Sequence, residues 1–462
     1  MDRLKRLAKY PELWILSIGA LVTRLWQVGL PPSIVFDELY FRQFAANYLD
    51  GHYFFDIHPP LIKLLFAGIG SLAGFSPSEV AESTDATILL RIFPAIAGAL
   101  LVPLIYIIIR QFGLGRRVAT LGAVLVLLDN ALLVESRFIL MDSLLLIAGF
   151  GALSCYLALR RTAGWKRWIW VVVLAVSLGT LVTTKWSGLA VATLIACGWL
   201  YDAVQEHREW RRSLGEALLT LGIVMAIYIG SFAVHFSLLT HSGEGDAFMS
   251  EKFQATLVDN PAYSTDAKMS LWDKITELNT QMYTAQSSLN DVQHPYASRW
   301  YTWPLEIRPV YYWQGEATKD DIQGNIYLLG NPIVWWMSAI GLLSALIIWL
   351  IRPQLLSRKR KLVSFLLIGY ALNFVPFAFI DRPMFLYHYL FALVFAILIT
   401  ATLCGLLFDW QKQKYGKRAV SQTFWVIVVA VLLGFLYFMP LSYGWPMTSA
   451  ELQQRMWLPS WR

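Results

Sequence analysis

Apolar residues along this chain gather into long continuous runs, near 13–30, 88–109, 118–134, 138–159, 168–184, 187–201, 214–238, 327–351, 362–380, 385–408 and 423–440. Most approach the roughly 20 residues that carry a helix across a bilayer, so the pattern predicts about eleven spans. The stretch 61–75 (LIKLLFAGIGSLAGF) is also apolar, but it is short and carries Lys63 near its start. It reads as an interfacial or re-entrant helix. Between the runs lie short polar connections and two long segments, 31–87 and 239–326.

Composition turns the pattern into a class. Hydrophobic residues make up 57% of the chain and charged residues only 15%, with a mean hydropathy of +0.51. Soluble domains carry about 25% charged residues. The numbers exclude a soluble enzyme, a disordered chain and a fibrous protein. They leave an all-α polytopic membrane protein.

The formal charge of +7 matters through its placement. No polar domain gathers it as a nucleic-acid binder would, so no nucleic-acid partner is expected. Basic residues instead precede the first run (Arg3, Lys5, Arg6, Lys9) and fill every second connection. Those connections carry Arg110/Arg116/Arg117, Arg160/Arg161/Lys166/Arg167, Arg208/Arg211/Arg212, Arg358/Lys359/Arg360/Lys361 and Lys412/Lys414/Lys417/Arg418. The positive-inside rule puts them all on the cytoplasmic side. The N-terminus is then cytoplasmic, and the C-terminus and both long segments lie outside. The first run lacks a small-x-small cleavage site and is not expected to be a signal peptide. Cys155, Cys197 and Cys404 sit in apolar runs at unrelated spacings, against a disulfide framework or a zinc site. No cluster at metal-ligand spacing occurs elsewhere, and neither metal nor cofactor is expected.

Charges on the outer side, inside or beside spans, are candidates for function. Asp37 and Glu38 follow the first run directly, Arg91 lies inside the outer end of the second, and Arg137 and Asp142 sit between the third and fourth. Lys185 lies between the fifth and sixth, and Arg382 between the ninth and tenth. Each cation alone could snorkel to membrane lipids. Arg91, Arg137, Lys185 and Arg382 together suit a pocket for an anionic lipid headgroup, since Arg forks match phosphate oxygens. Asp37-Glu38 could equally be solvated surface. However, FDELYF is followed closely by FFDIHPP (Phe54 to Pro60), and a carboxylate held near a span end can serve as a general base. The dense aromatics between Trp300 and Trp313 fit either an interfacial belt or a cleft at the membrane surface. The histidines are scattered, and structural hydrogen bonding is the plainer reading of each.

Taken in order, FDELYF, DIHPPLIKLL (Asp56 to Leu65), the Arg91-Ile-Phe-Pro-Ala segment and ESRFILMDSLL (Glu135 to Leu145) resemble the protein O-mannosyltransferases. So do HPYASRWYTWPLEIRPVYYW (His294 to Trp313), YLLGNPIVWW (Tyr327 to Trp336) and FLYHYLFAL (Phe385 to Leu393), and the resemblance runs from about residue 15 to 440. It implies one catalytic domain over 1–462 with the GT-C-type fold, about eleven spans and helical outer loops. It implies inverting transfer of mannose from a polyprenyl (dolichyl-type) phosphate to Ser or Thr of secreted or membrane proteins. Asp37 is then the base, Glu38 its neighbour in the active-site loop, and Arg91 the arginine associated with the lipid phosphate. His58, Arg137, Asp142 and Arg299 lie in matching segments, and Lys185 and Arg382 join the substrate-binding group.

The sequence departs from the family at two places. Eukaryotic members insert a β-trefoil (MIR) domain before the eighth span. The segment 239–326 is too short for one and has no internal repeat, as in the bacterial form. That implies a bacterial plasma membrane. The family's acidic-acidic-x-His pattern reads Asp37-Glu38-Leu39-Tyr40, so no histidine role transfers to that place. Two rivals remain. A related transferase acting on a lipid or glycan acceptor would use the same Asp37 and Arg91 elements. A lipid-linked sugar transporter would need internal repeats and broken span pairs in matching halves, which the runs lack.

Overall fold

The computed structural model describes residues 10–205, 210–288, 294–319 and 321–462. Arg3, Lys5, Arg6, Lys9 and Arg208 of the orientation argument lie outside the described residues. Each of the eleven apolar runs lies mostly on helix: α1 (Pro11–Leu25), α2 (Thr84–Gln111), α3 with α4 (Arg116–Leu127, Asn130–Arg137), α5 (Asp142–Leu159), α6 (Lys166–Thr184), α7 (Leu189–Gln205), α8 (Trp210–Leu238), α9 (Pro332–Ile351), α10 (Arg360–Leu372) and α11 (Leu390–Tyr443). Among the described residues eight helices are long and apolar enough to cross a membrane, or nine if the bent pair is one span. Two expected runs, 385–408 and 423–440, share α11, which breaks at Gly416 (φ 81°). The chain is a multi-pass membrane protein.

Burial separates centre from rim. In α11, 78% of the most apolar window is buried, against 11% in α8. A helix apolar all round must face either protein or lipid. The first half of α11 therefore forms the middle of the bundle, packed by α3, α9 and α10, while α8 packs on α6 and offers most of its surface outward.

The expected continuous span at 118–134 is bent by 57° between α3 and α4. Asp129-Asn130 in an apolar run supplies the reason, because Asp129 Oδ1 accepts from the Leu132 amide at 2.9 Å and starts a new helix. Carbonyls freed by the break need partners where water is absent. Arg24 donates to Val126 and Leu127, and the Asn331 amide donates to Leu128.

The segment 31–87 is helical, as expected, with helices at Glu38–Asp50, Leu61–Leu72 and Pro77–Glu82. The second long segment holds helices at Glu251–Gln254 and Leu271–Ser288, and adds a small sheet that the helical expectation did not include. Its strands run antiparallel in the order β1 (Val310–Gln314), β2 (Ile322–Leu328), β3 (Pro446–Thr448). The two segments touch where Gly243 and Gly245 lie against the backbone of Tyr53 and Phe54, an approach that a Cβ at either glycine would block.

Candidate active site

Asp37 owes its position to the residue before it. Phe36 takes a left-handed backbone (φ 52°), which a bulky residue adopts only where its surroundings hold it. The Phe36 ring stacks on Tyr312 with centroids 4.1 Å apart and meets Tyr387 edge-on at 6.2 Å. Its amide donates to the Tyr312 carbonyl at 3.2 Å. This clamp sets Asp37 at the start of the helix Glu38–Asp50, half-buried, with no partner for its carboxylate among the described residues. Burial pushes the Asp37 pKa up to about 6; nearby Lys185 pulls it down, while Asp142 and Asp56 push it further up.

Glu38 is the opposite case. It is fully buried, and its oxygens accept from the amides of Val35 and Ile139, both at 2.9 Å, and from the Arg91 fork at 2.7 Å on each arm. Arg91 also donates to the carbonyls of Val28, Pro31 and Ser33. A guanidinium has five N–H groups, and all of Arg91's are used within the protein. The expectations of a catalytic Glu38 and of a phosphate-binding Arg91 therefore lack a free oxygen lone pair or N–H to act through. Arg137 is held inward too: its terminal nitrogens donate to the carbonyls of Arg24, Trp26 and Gln27 around the end of α1, its guanidinium lies 4.3 Å from the Tyr443 ring centroid, and its buried Nε has no partner among the described residues.

Lys185 is the cation brought nearest to Asp37's surroundings. It is an extended residue between α6 and the next helical turn, with Nζ 3.2 Å from Asp142 and 5.3 Å from the Tyr387 ring centroid. Lys185 and Asp142 line one groove of about 350 Å³, whose walls include Leu145, Leu146, Leu189 and Phe391. Arg299 and Arg382 line an adjoining cavity of about 490 Å³, which shares Phe377 and Ile380 with the groove. Neither guanidinium has a hydrogen-bond or ion-pair partner among the described residues. Of the four expected cations, then, two face cavities and two are internal struts.

His58 lies close to this charge. Burial holds its pKa well below the ordinary histidine value, and Lys185, Lys63 and Arg382 act in the same direction. Its carbonyl accepts from Lys63, which also pairs with Asp56. Two further residues escaped the sequence reading as site groups: buried Tyr312 donates to buried Glu135 at 2.7 Å. Both stood inside the quoted segments, but their 177-residue separation hid the pairing. Among the described residues, no group of three or more His, Cys, Asp or Glu is set to hold a metal ion.

The bundle has the GT-C-type fold, with a half-buried carboxylate outside its core and, near it, an apolar groove whose polar end holds a lysine. Comparison with solved structures agrees on the fold. The Saccharomyces cerevisiae protein O-mannosyltransferase Pmt1-Pmt2 complex bound to the sugar donor superposes with a TM-score of 0.86 at 20% identity, covering 98% of this chain and 92% of that one. An Archaeoglobus fulgidus oligosaccharyltransferase in its apo form gives 0.55 at 14% identity, covering 97% and 57%.

The family model for dolichyl-phosphate-mannose-protein mannosyltransferase matches residues 14–240, and that for the C-terminal four-span region of protein O-mannosyltransferase matches 271–461. The chain belongs to the protein O-mannosyltransferase family. Protein O-mannosyltransferase 1 of Drosophila pseudoobscura is 34% identical over 342 residues, 70% of this chain and 36% of the relative. Dolichyl-phosphate-mannose–protein mannosyltransferase 4 of Candida albicans is 30% identical over 309 residues, 62% and 40% respectively. The chain thus spans about two fifths or less of the curated relatives it matches.

Proposed function

We propose that the protein transfers mannose from a polyprenyl (dolichyl-type) phosphate to Ser or Thr hydroxyls of exported proteins, with inversion at the anomeric carbon. The observation that carries the reading is the unpartnered Asp37 carboxylate, raised to about 6, beside a groove that ends at Lys185. An apolar groove with one cation at its polar end suits a lipid phosphate: isoprene units lie along Leu145, Leu146 and Leu189, and the phosphate meets Lys185.

A hydroxyl is a weak nucleophile until its proton is accepted. Asp37 takes that proton as the Ser or Thr oxygen attacks the mannose C1 from the face opposite the phosphate. The C1–O bond to phosphorus breaks with its electron pair on oxygen, and polyprenyl phosphate leaves with one more negative charge. A base titrating near 6 is ionised at neutral pH yet still basic enough to take a proton. Lys185 and the free guanidinium of Arg382 stabilise the charge that grows on the leaving phosphate. Glu38 and Arg91 act by holding the loop that carries Asp37. In this reading the active site lies on the outer face of a bacterial plasma membrane, with the N-terminus cytoplasmic.

The test is transfer of labelled mannose from a polyprenyl-phosphate donor to a Ser/Thr-rich peptide, with Asp37→Asn and Lys185→Ala beside wild type. Label on the peptide that Asp37→Asn abolishes is expected. Label on lipid alone would overturn the acceptor assignment.

A further inference from the structure

A further charged cavity lies at the other end of the bundle. Arg117 from the start of α3, Lys359 ahead of α10 and Lys412 near the break in α11 line one space of about 220 Å³. Its apolar wall includes Val118, Leu406 and Phe408. None of the three cations has a hydrogen-bond or ion-pair partner among the described residues. Asp409 is the one acid lining the cavity, so three positive charges meet one negative charge.

Helix rise fixes the depth. From Arg91 to the end of α2 at Gln111, and from Leu390 to Asp409 along α11, the chain climbs roughly 30 Å. That is about the thickness of a bilayer's hydrocarbon layer. The cavity therefore sits at the level of the headgroups on the face opposite Asp37. The space beside Gly113 and Gly115 is open, since a Cβ at either would meet nothing within 4 Å.

We infer that this cavity binds a phosphate-bearing anion on the face opposite the active site. Three unpaired cations converging from connections far apart in sequence, over an apolar wall, match a phosphate carried by a lipid headgroup or free in solution. Basic pockets between spans on the cytoplasmic side commonly take acidic headgroups.

The test uses full-length protein in phosphatidylcholine nanodiscs, measuring bound phosphatidylglycerol by native mass spectrometry and thermal stability with added inorganic phosphate. Wild type retains phosphatidylglycerol, and each cation removed (Arg117→Gln, Lys359→Gln, Lys412→Gln) weakens retention about fivefold. Asp409→Asn strengthens it, a change in the opposite direction that loss of folding does not produce. Stabilisation by inorganic phosphate that the triple variant loses identifies a free anion as the ligand. Retention by the lipid alone identifies the headgroup. Equal retention in wild type, the triple variant and Asp409→Asn, with no response to inorganic phosphate, overturns the inference.

Discussion

Replacing Arg91 by Met separates the two roles an arginine could play here. In the structure Arg91 and Glu38 are both 0% exposed and form a two-armed ion pair, with three backbone carbonyls on the remaining donors. Arg91→Met leaves the Glu38 carboxylate with two amide donors, from Val35 and Ile139, and no counter-charge. Stranding one member of a buried pair costs about 3–5 kcal/mol. In heat denaturation of the detergent-solubilised protein, that lowers the midpoint by roughly 5–10 °C. Adding Glu38→Gln to Arg91→Met removes the stranded charge, so the double variant recovers part of the loss and the effects fall short of additive. The protein that remains folded keeps its KM for the lipid donor, since no free Arg91 N–H was offered to phosphate. A KM raised tenfold or more with an unchanged denaturation midpoint would refute the reasoning and restore Arg91 as a phosphate ligand.

Other residues test other parts of the account. Lys185→Ala removes the cation at the end of the apolar groove, and should raise the donor KM and lower kcat/KM about 10–100-fold, read from donor titrations. Tyr312→Phe keeps the stack on Phe36 but strands buried Glu135, costing about 1–3 kcal/mol in thermal denaturation and lowering kcat with little change in donor KM. Asp37→Asn should make the protein more heat-stable at neutral pH. The raised carboxyl pKa favours the protonated folded form, so wild type is penalised above about 6 and the difference vanishes as pH falls below the unfolded value near 4. The penalty is at most about 3 kcal/mol, reduced because the carboxylate reaches solvent. Trp461→Ala removes a ring whose Nε1 donates to the Glu306 carbonyl at 2.5 Å. It should cost about 3–5 kcal/mol of stability and lower kcat, because the segment it pins runs on to Tyr312.

Spans are legible because the bilayer imposes one rule on every residue in them: backbone groups must pair locally and side chains must be apolar. Each expected run accordingly lies mostly on helix. Asp37 stands out in the sequence for a related reason, as an acid at a span end carries a cost that calls for explanation. What the sequence hid was pairing. Arg91 and Arg137 look alike in sequence to Lys185 and Arg382, four outer cations near span ends. Only the fold reveals that the first two spend their donors on Glu38 and on the carbonyls around the end of α1. The bend at Asp129 had a local signal in its Asp-Asn pair, a helix start inside an apolar run, but hydropathy outweighed it. The sheet had one too, in the β-branched and aromatic residues of Val310–Gln314 and Ile322–Leu328. Tyr312 and Glu135 gave no signal of their partnership, because nothing local couples residues so far apart.

The central claim is that Asp37 is the base, and the pH dependence of mannose transfer under kcat/KM conditions tests it most directly. Wild type should lose activity tenfold per pH unit below about 6, level off above it, and lose about 10²–10⁴-fold at all pH values in Asp37→Asn. An unchanged rate in Asp37→Asn, or an acid limb that begins near 4 as for an exposed aspartate, would contradict the account.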